Sequence, residues 1–333
     1  MTAFMRALLT MTALCAALAM QAAAPVSAQT PALDYPNRPI KVVVPFPAGG
    51  PTDGMARIIS ERLSQVLKQS IVIENRGGGA GGSVGAKVVA NAEPDGYTIL
   101  LTPGGSLTNG PAVHKNIGYD PVKAFTPVAL LITAPLILVV HPSLPVKTVP
   151  ELMAYAKANP GKLVAGSQGA GTGPHLLIEL IKLDTGFNIT HVPYRGSAPA
   201  ITALLANEIQ MFFDSPTTIL PHIQSGAARP IAVTTATRHK NFPDLPTMAE
   251  VGFPKIRSTF WLGVAAPGGT PPAIVDKLNA AFREALDAPE TRERLAKLSA
   301  DIAIGTPEEF RKMLADELAL WTGVAKAANL QMD

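Results

Sequence analysis

The stretch IKVVVPFPAGGPTDGMARIISERLSQVL, residues 40–67, determines the fold class because it joins an apolar strand to an amphipathic helix through a loop of Gly and Pro. Residues 40–45 are almost all apolar and β-branched, which is typical of a strand that is covered on both faces. Apolar side chains then recur at helical spacing, as at Met55, Ile59 and Leu63. The first unit is therefore a strand, a Gly/Pro loop and a helix.

The same unit recurs along the chain. The pattern predicts further strands at 71–74, 97–102, 163–166, 189–194, 209–214, 230–235 and 260–266, with helices starting near Ser83 and Ser106 and spanning 149–158, 174–183 and 198–206. The tail from Pro271 is predicted to be helical apart from a short strand near 301–304. Strands that alternate with helices predict an α/β protein with mostly parallel sheets.

Two sets of strands and helices predict two α/β lobes. The second set starts near Leu131, and the late strand at 260–266 is expected to return the chain to the first lobe, with Trp261 near the hinge. We expect residues 29–131 and 256–333 to form lobe 1 and residues 132–255 to form lobe 2. A cleft between the lobes, at the carboxyl ends of their strands, is where such folds bind small molecules.

Composition excludes several classes of function. The 333 residues include 28 Lys and Arg against 25 Asp and Glu, for a net charge of +3, and only 16% of residues are charged. The basic residues are scattered, so we expect no nucleic-acid partner. One Cys allows neither an internal disulfide nor a zinc cluster, and the six His form no H-x-x-x-H pair. We therefore expect no metal site and no cofactor.

Residues 1–28 have the pattern of a cleaved secretory signal peptide. Arg6 precedes an apolar stretch that is too short to span a membrane, and small residues occupy the two positions that a signal peptidase recognises, Val26 and Ala28. Cys15 has its Leu directly before it rather than three positions before, so no lipid anchor is expected. The mature chain from residue 29 has no Cys.

Two glycine motifs allow enzymatic alternatives. Gly77, Gly79 and Gly82 match G-x-G-x-x-G after a strand, but the acidic residue expected after the next strand is missing. The run 81–85 matches the nucleophile elbow G-x-S-x-G with Ser83 as the nucleophile, although an elbow follows its strand directly and seven residues separate Glu74 from Gly82. The first motif is also explained by a flexible surface loop.

Two other glycine loops favour an anion. The loops FPAGGPTD, residues 46–53, and GSQGAGTG, residues 166–173, each lie between a strand and a helix. Backbone N–H groups there point out at the positive end of a helix dipole, with the hydroxyls of Thr52, Ser167 and Thr172 as further donors. Such a facing pair would suit a carboxylate, and tight turns explain the glycines equally well. Asp53 is expected to cap its helix, and His175 is either structural or a ligand contact.

These loops also carry a resemblance to a known family. PFPAGGPTD at 45–53, GSQGAGT at 166–172 followed by His175 and Leu176, and HVPYRG at 191–196 with Pro199 and Ala200 resemble the binding loops of the substrate-binding proteins of tripartite tricarboxylate transporters, the Bug or TctC family. Shorter matches at 154–162, 213–214, 245–252 and 267–271 follow in the same order. The resemblance extends from about Tyr35 to Leu330.

The resemblance implies a fold and a set of ligand-binding residues. The fold is a periplasmic binding protein of type II, with two α/β lobes, two crossover connections and a ligand cleft between the lobes. In this family a carboxylate is held between the two glycine loops, largely by backbone amides, hydroxyls and water. The residues that it assigns to ligand binding are Phe46, Ala48, Gly49, Gly50, Thr52, Asp53, Ser106, Ser167, Gly169, Thr172, His175, Tyr194, Arg195, Ala198 and Asp214.

The resemblance also implies a function. We expect a monomeric periplasmic receptor, not an enzyme, that captures a di- or tricarboxylate, an aromatic acid or an acidic amino acid and delivers it to the integral membrane subunits of the transporter. The alternatives are a receptor for a membrane signalling protein and a secreted hydrolase using Ser83. Ala165, Arg195 and the pair Asn207-Glu208 depart from the family pattern, which has Tyr, Lys and a Gly pair there, so selectivity stays open.

Overall fold

The computed structural model describes residues 34–330, so the expected signal peptide lies outside the described residues. Within this range the strands form two sheets, each covered by helices on both faces.

The first sheet has six strands. They are β1 (Ile40–Val44), β2 (Ile71–Asn75), β3 (Thr98–Thr102), β4 (Phe125–Pro135), β10 (Thr259–Pro267) and β11 (Asp301–Ile302), in the spatial order β11-β4-β10-β3-β1-β2. The helices that belong to this part of the chain are α1 (Pro51–Leu67), α2 (Ser83–Ala90), α3 (Gly110–Val113), α8 (Pro272–Asp287), α9 (Pro289–Lys297) and α10 (Pro307–Ala327). In β1 only Lys41 is exposed, as expected for a strand with both faces covered.

The second sheet has five strands, β5 (Ile137–Val140), β6 (Val164–Ser167), β7 (Thr190–Pro193), β8 (Met211–Asp214) and β9 (Arg229–Val233), in the order β7-β6-β8-β5-β9. Its helices are α4 (Val149–Ala158), α5 (Gly173–Thr185), α6 (Ser197–Leu205) and α7 (Pro216–Gln224). Because side chains alternate along a strand, Ile137 and Val139 pack into the core on one face of the sheet, and Leu138 and Val140 into the core on the other.

The chain crosses between the sheets twice. Leu136 alone separates β4 from β5, and residues 234–258 lead from β9 back to β10. The strands that leave and re-enter the first sheet must run in opposite directions, and β10 is antiparallel to both β3 and β4. In the second sheet β5 is antiparallel to β8 and β9. The expectation of mostly parallel sheets is therefore wrong for residues 34–330, where both sheets are mixed.

The last helix, α10, packs on both halves of the molecule. Phe310 near its start lies in the core of the first sheet, whereas Trp321 and Val324 lie in the core of the second. A capping box fixes its beginning, because Glu309 N–H donates to Thr306 Oγ1 and Thr306 N–H donates to Glu309 Oε2. In residues 34–330, no helix has the length and apolar character needed to cross a membrane.

Candidate ligand-binding site

A cleft lies between the two sheets, where four helices begin. The N-termini of α1, α5, α6 and α7 all line it, and each of these helices has a Pro in its first turn, where no intrahelical N–H bond is lost. The cleft has a cavity volume of about 110 Å³, which is room for a small molecule. Four helix N-termini that meet in one cavity form a strongly anion-attracting site.

The predicted site residues divide into two groups. Those that line the cleft are Phe46, Ala48, Gly50, Thr52, Thr172, Arg195, Ala198 and Asp214. Those that do not line it are Gly49, Asp53, Ser106, Ser167, Gly169, His175 and Tyr194. The glycine loops therefore do meet at one cavity, while several of their side chains support the loops from behind.

Asp53 stabilises the first loop from within. Gly49, at φ 82°, donates its N–H to Asp53 Oδ2 at 2.9 Å, Arg57 Nε donates to the same oxygen at 3.0 Å, and Asn75 Nδ2 donates to Oδ1 at 3.1 Å. Gly50 is the N-cap residue, so Asp53 does not cap the helix as expected but bonds the loop from the third helical position. Burial alone would raise the pKa of Asp53, and these hydrogen bonds hold it below its usual value.

The second loop uses its own hydroxyls. Thr172 Oγ1 donates to Gly169 O at 2.7 Å, and Ser167 Oγ accepts from Gly169 N–H at 3.2 Å and lies 2.7 Å from His191 Nε2. These side chains shape the loop, so the donors that remain for a ligand are largely backbone N–H groups at the helix N-termini.

Two stacked histidines lie behind this loop. The rings of His175 and His191 are 4.1 Å apart between centroids and 15° from parallel, and Gly171 N–H donates to His175 Nδ1 at 3.2 Å. Burial lowers the pKa of His175 to about 4 and that of His191 to about 3. Both rings are therefore neutral near pH 7, and the Gly171 bond requires His175 to carry its proton on Nε2.

In residues 34–330, one group of side chains could hold a metal ion. It consists of His175, Glu179 and His191, whose ligand atoms lie within 4.8 Å of one another. The sequence did not show this group because its members come from two elements. A metal ion lies in the plane of each imidazole that binds it, and two stacked rings cannot both meet this condition. Lys182 Nζ already donates to Glu179 Oε1 at 2.9 Å. The cluster therefore supports the loop.

Asp214, at the end of β8, joins three elements in the cleft wall. Its Oδ1 accepts from Gln168 Nε2 at 2.9 Å and from Ser197 Oγ at 3.0 Å, and its Oδ2 accepts from Thr218 Oγ1 at 2.7 Å. Burial raises the pKa of Asp214 to about 6 against these hydrogen bonds. Asp214 thus fixes the starts of α6 and α7 relative to the second loop.

Around Asp214, Arg195 and Ala198 are exposed on the cleft at the start of α6. Tyr194 is half-buried against the core of the second sheet, and its backbone N–H donates to Ser167 O at 2.9 Å. Arg195 is the single basic side chain among the residues that line the cleft, which is consistent with a ligand that is held mainly by neutral donors.

The serine candidates lie outside the cleft. Ser106 is fully buried, and its Oγ donates to Gly81 O at 2.9 Å and accepts from Thr102 at 3.1 Å. Ser83, the proposed nucleophile, is also buried at the start of α2, and no hydrogen bond joins it to a histidine within residues 34–330. The geometry of a catalytic pair is missing there.

Several residues of the cleft were not predicted as site residues. Among them are Gln168, Asn109, Leu136, Phe260, Trp261 and Glu317. Trp261 was expected only near the hinge, and Gln168 lay inside a recognised loop. Glu317 could not be identified from sequence because it lies on the distant helix α10.

Comparison with known proteins gives consistent similarities. The family model described as "Tripartite tricarboxylate transporter family receptor" matches residues 55–330. Protein BugT of Bordetella pertussis is 39% identical over 311 residues, which cover 93% of this chain and 94% of BugT.

Solved structures agree in fold as well as sequence. R. palustris Rpa4515, solved with adipate, superposes with a TM-score of 0.84 at 39% identity and covers 89% of this chain and 99% of its own. MatC of Rhodopseudomonas palustris, solved with bound malate, gives a TM-score of 0.81 at 34% identity over 87% of this chain and 99% of its own.

Proposed function

Since the chain belongs to the tripartite tricarboxylate transporter receptor family, we propose that it is a periplasmic receptor that captures a small carboxylate and delivers it to the membrane subunits of such a transporter. The predicted family and the periplasmic binding protein fold are confirmed by the family match and by the similarity to the solved structure of periplasmic binding protein BugD. This proposal includes the lobe boundaries at 131/132 and 255/256, the individual ligand-binding residues, the exported location and the delivery step.

The observation that carries the proposal is the meeting of four helix N-termini in one cleft. Each terminus presents backbone N–H groups that have no partner in the helical i to i−4 pattern, together with the positive end of a dipole, and both attract a carboxylate. Neutral donors of this kind avoid burying a Lys or Arg that would lack a partner when the cleft is empty. The adipate and malate in the two related structures agree with a carboxylate ligand here.

The arrangement of the helices also supports closure around the ligand. One of the four helices, α1, follows a strand of the first sheet, and the other three follow strands of the second. A carboxylate that contacts both sides binds the closed form better than the open form, so it shifts the population toward closure.

The test is ligand binding by the refolded protein. Residues 29–333 are unfolded and refolded to remove bound ligand and then heated with di- and tricarboxylates, aromatic acids and acidic amino acids. A ligand at 100 times its Kd adds about 2.7 kcal/mol to the unfolding free energy, so the true ligand raises Tm clearly. Mass spectrometry of the molecule that co-purifies with unrefolded protein identifies it independently. If no carboxylate raises Tm, the proposal is wrong.

Ala198→Asp makes this test specific to the cleft. Ala198 lies in the first turn of α6, where an acidic side chain suits the helix dipole, so folding should be retained. The new charge faces the position proposed for the ligand carboxylate and should abolish binding. Ala198→Asn is the matched neutral control and should bind within a few-fold of the wild type. Uptake of the identified acid by cells with the membrane subunits, with and without the receptor, tests delivery.

A further inference from the structure

Glu317 brings an acidic side chain into the wall of the carboxylate cleft. It lies on α10, and its partly exposed side chain lines both the cleft and a second groove formed by 257–261 and 309–321. Trp261 Nε1 donates to both carboxylate oxygens at 3.0 Å, and Thr108 Oγ1 lies 2.8 Å from Oε2. The carboxyl group is thus held in a defined orientation by residues of two other elements.

Unlike Asp214, Glu317 retains acceptor capacity. Asp214 accepts hydrogen bonds from three side chains on its two oxygens and a fourth from the backbone N–H of Ser215, which fills its acceptor sites inside the protein. Glu317 accepts from Trp261 and Thr108, and the indole of Trp321 is close by. A carboxylate offers about four acceptor sites, so at least one remains for a donor in the cleft. Burial raises the pKa of Glu317, as expected for a carboxyl group that lacks a cationic partner.

Glu317 also lies close to the anion-binding loops. Thr108, next to Glu317, lies 2.7 Å from the side-chain amide of Asn109. When this amide is oriented so that both its oxygen and its nitrogen have hydrogen-bond partners, its oxygen accepts from Gly173 N–H at 3.1 Å. Gly173 is the first residue of α5, so two side chains separate Glu317 from a helix N-terminus of the carboxylate site. One small molecule can therefore contact both.

The charges of the lining define what Glu317 can accept. Arg195 is the single cation among the cleft residues, whereas Asp214 and Glu317 are both acidic. A second ligand carboxylate next to Glu317 would be repelled, and a purely apolar group there would leave the acceptor unsatisfied. An ammonium or hydroxyl group of the ligand is not repelled by Glu317, and it supplies the donor that this acceptor needs.

We propose that Glu317 is a specificity-determining residue that accepts a hydrogen bond from an amino or hydroxyl group of the ligand, so that the receptor prefers amino- or hydroxy-substituted carboxylates over plain ones. This inference rests on the proposed carboxylate function and deepens it. Trp261 positions the acceptor, and the helix N-termini hold the ligand carboxylate.

Calorimetry on ligand-stripped protein with matched acids tests the inference. The sets are succinate, malate and aspartate; glutarate, 2-hydroxyglutarate and glutamate; and 3-phenylpropionate, phenyllactate and phenylalanine. In at least one set, a donor-bearing member should bind at least about fivefold more tightly than the plain acid, the value of about one hydrogen bond. Glu317→Gln, which keeps an acceptor for Trp261, should weaken the amino acid by about tenfold or more and leave the plain acid equal or tighter. Glu317→Met should also remove a preference for a hydroxyl.

The control is Asp316→Asn, an exposed neighbour on α10 that pairs with Lys312 and does not line the cleft. It should change none of these affinities. The inference is wrong if the plain acid binds tightest in every set, or if the Glu317 variants weaken all members of a set equally, as a structural role would. If no member of any set binds the wild type, the proposed carboxylate function itself fails, which is a different result.

Discussion

His175 accepts the backbone N–H of Gly171 and therefore connects a titratable ring to the second glycine loop, residues 166–173. The proton that would charge this ring must go to Nδ1, which already faces an N–H donor. Its other neighbours are the stacked ring of His191, Glu179, whose Oε1 lies 3.9 Å from Nε2, and the side chains of Lys182 and His114, and its burial is the largest cause of the lowered pKa. The environment of His175 therefore favours the neutral ring and penalises the charged one.

This environment predicts an acid-sensitive contribution to stability. The pKa of His175 is about 4 in the folded protein against 6.5 for an unperturbed histidine, so the unfolded chain binds more protons between these values. Stability should fall as pH is lowered through this window, by about 2 kcal/mol between pH 7 and pH 5 from this residue. In urea unfolding, the His175→Gln variant should lose correspondingly less free energy of unfolding between pH 7 and pH 5. The His222→Gln variant, at the end of α7, should lose as much as the wild type. Equal losses in all three proteins would contradict the assignment.

Asp214 has the opposite dependence. Its pKa is raised from 3.8 to about 6 by burial, so the folded protein holds the extra proton and stability falls as pH rises from about 4 to 6. Asp214→Asn removes this dependence but cannot accept from Gln168, Ser197 and Thr218 as the carboxylate does. We expect a loss of about 1–3 kcal/mol at pH 4 and a smaller loss near pH 7, because only the wild type loses stability as pH rises between these values, measured by urea unfolding. A loss that shrinks toward acid pH would show that the carboxylate is ionised throughout.

At the scale of elements, three glycine-containing loops meet where the two halves of the molecule touch. They are the run 77–82, the segment around Gly105 and the second glycine loop at 166–173. Gly81 N–H donates to Ala170 O at 3.0 Å, and a Cβ on Gly81 would lie 2.0 Å from Gly105 O and 2.9 Å from Gly171 O. Contact this close requires residues without side chains. The run 77–82 therefore serves as an inter-lobe contact rather than as a dinucleotide loop.

Gly81→Ala should disrupt this contact. Gly81 has φ 57°, and Gly186, at the end of α5, has φ 69° with no atom within 4 Å of an added Cβ. Both Ala variants suffer the cost of a left-handed backbone, about 1–2 kcal/mol, and only Gly81→Ala also suffers the clash. We expect Gly81→Ala to be destabilised well beyond Gly186→Ala in urea unfolding and to bind the ligand at least about tenfold more weakly. Similar free energies of unfolding for the two variants would mean that the loops can move apart without loss of stability.

The elements differ in how far their sequence reveals them. Strand β1 and helix α1 are predicted from apolar spacing because periodicity is local, and the loops between strands and helices are marked by Gly and Pro. The directions of β5 and β10 are not local properties, so the sequence did not show the mixed sheets. The orientation of Ser167 toward His191, and the approach of Glu317 to Thr108 across 209 positions, depend on tertiary packing and were missed for the same reason.

For the whole molecule, the proposed receptor cycle requires the two halves to separate and close around the ligand. Besides the crossings at Leu136 and 234–258, helix α10 contributes to the cores of both sheets. Helices α1 and α7 approach each other at the cleft, where a Cβ on Gly54 would lie 4.0 Å from Thr217 Cγ2. This approach joins one half of the molecule to the other next to the cleft.

A disulfide at this point should lock the closed form. Residues 29–333 contain no Cys, so Gly54→Cys with Thr217→Cys introduces a single pair, and these positions are chosen because Thr217 Cγ2 lies 4.0 Å from the Cβ position of residue 54. Oxidation with ligand bound should slow ligand release by at least about tenfold, oxidation of the empty protein should slow entry, and reduction should reverse both, because the ligand leaves only when the halves part. The two single-Cys variants are the controls. Unchanged release from a fully oxidised protein would mean that the cleft opens without separation of α1 and α7.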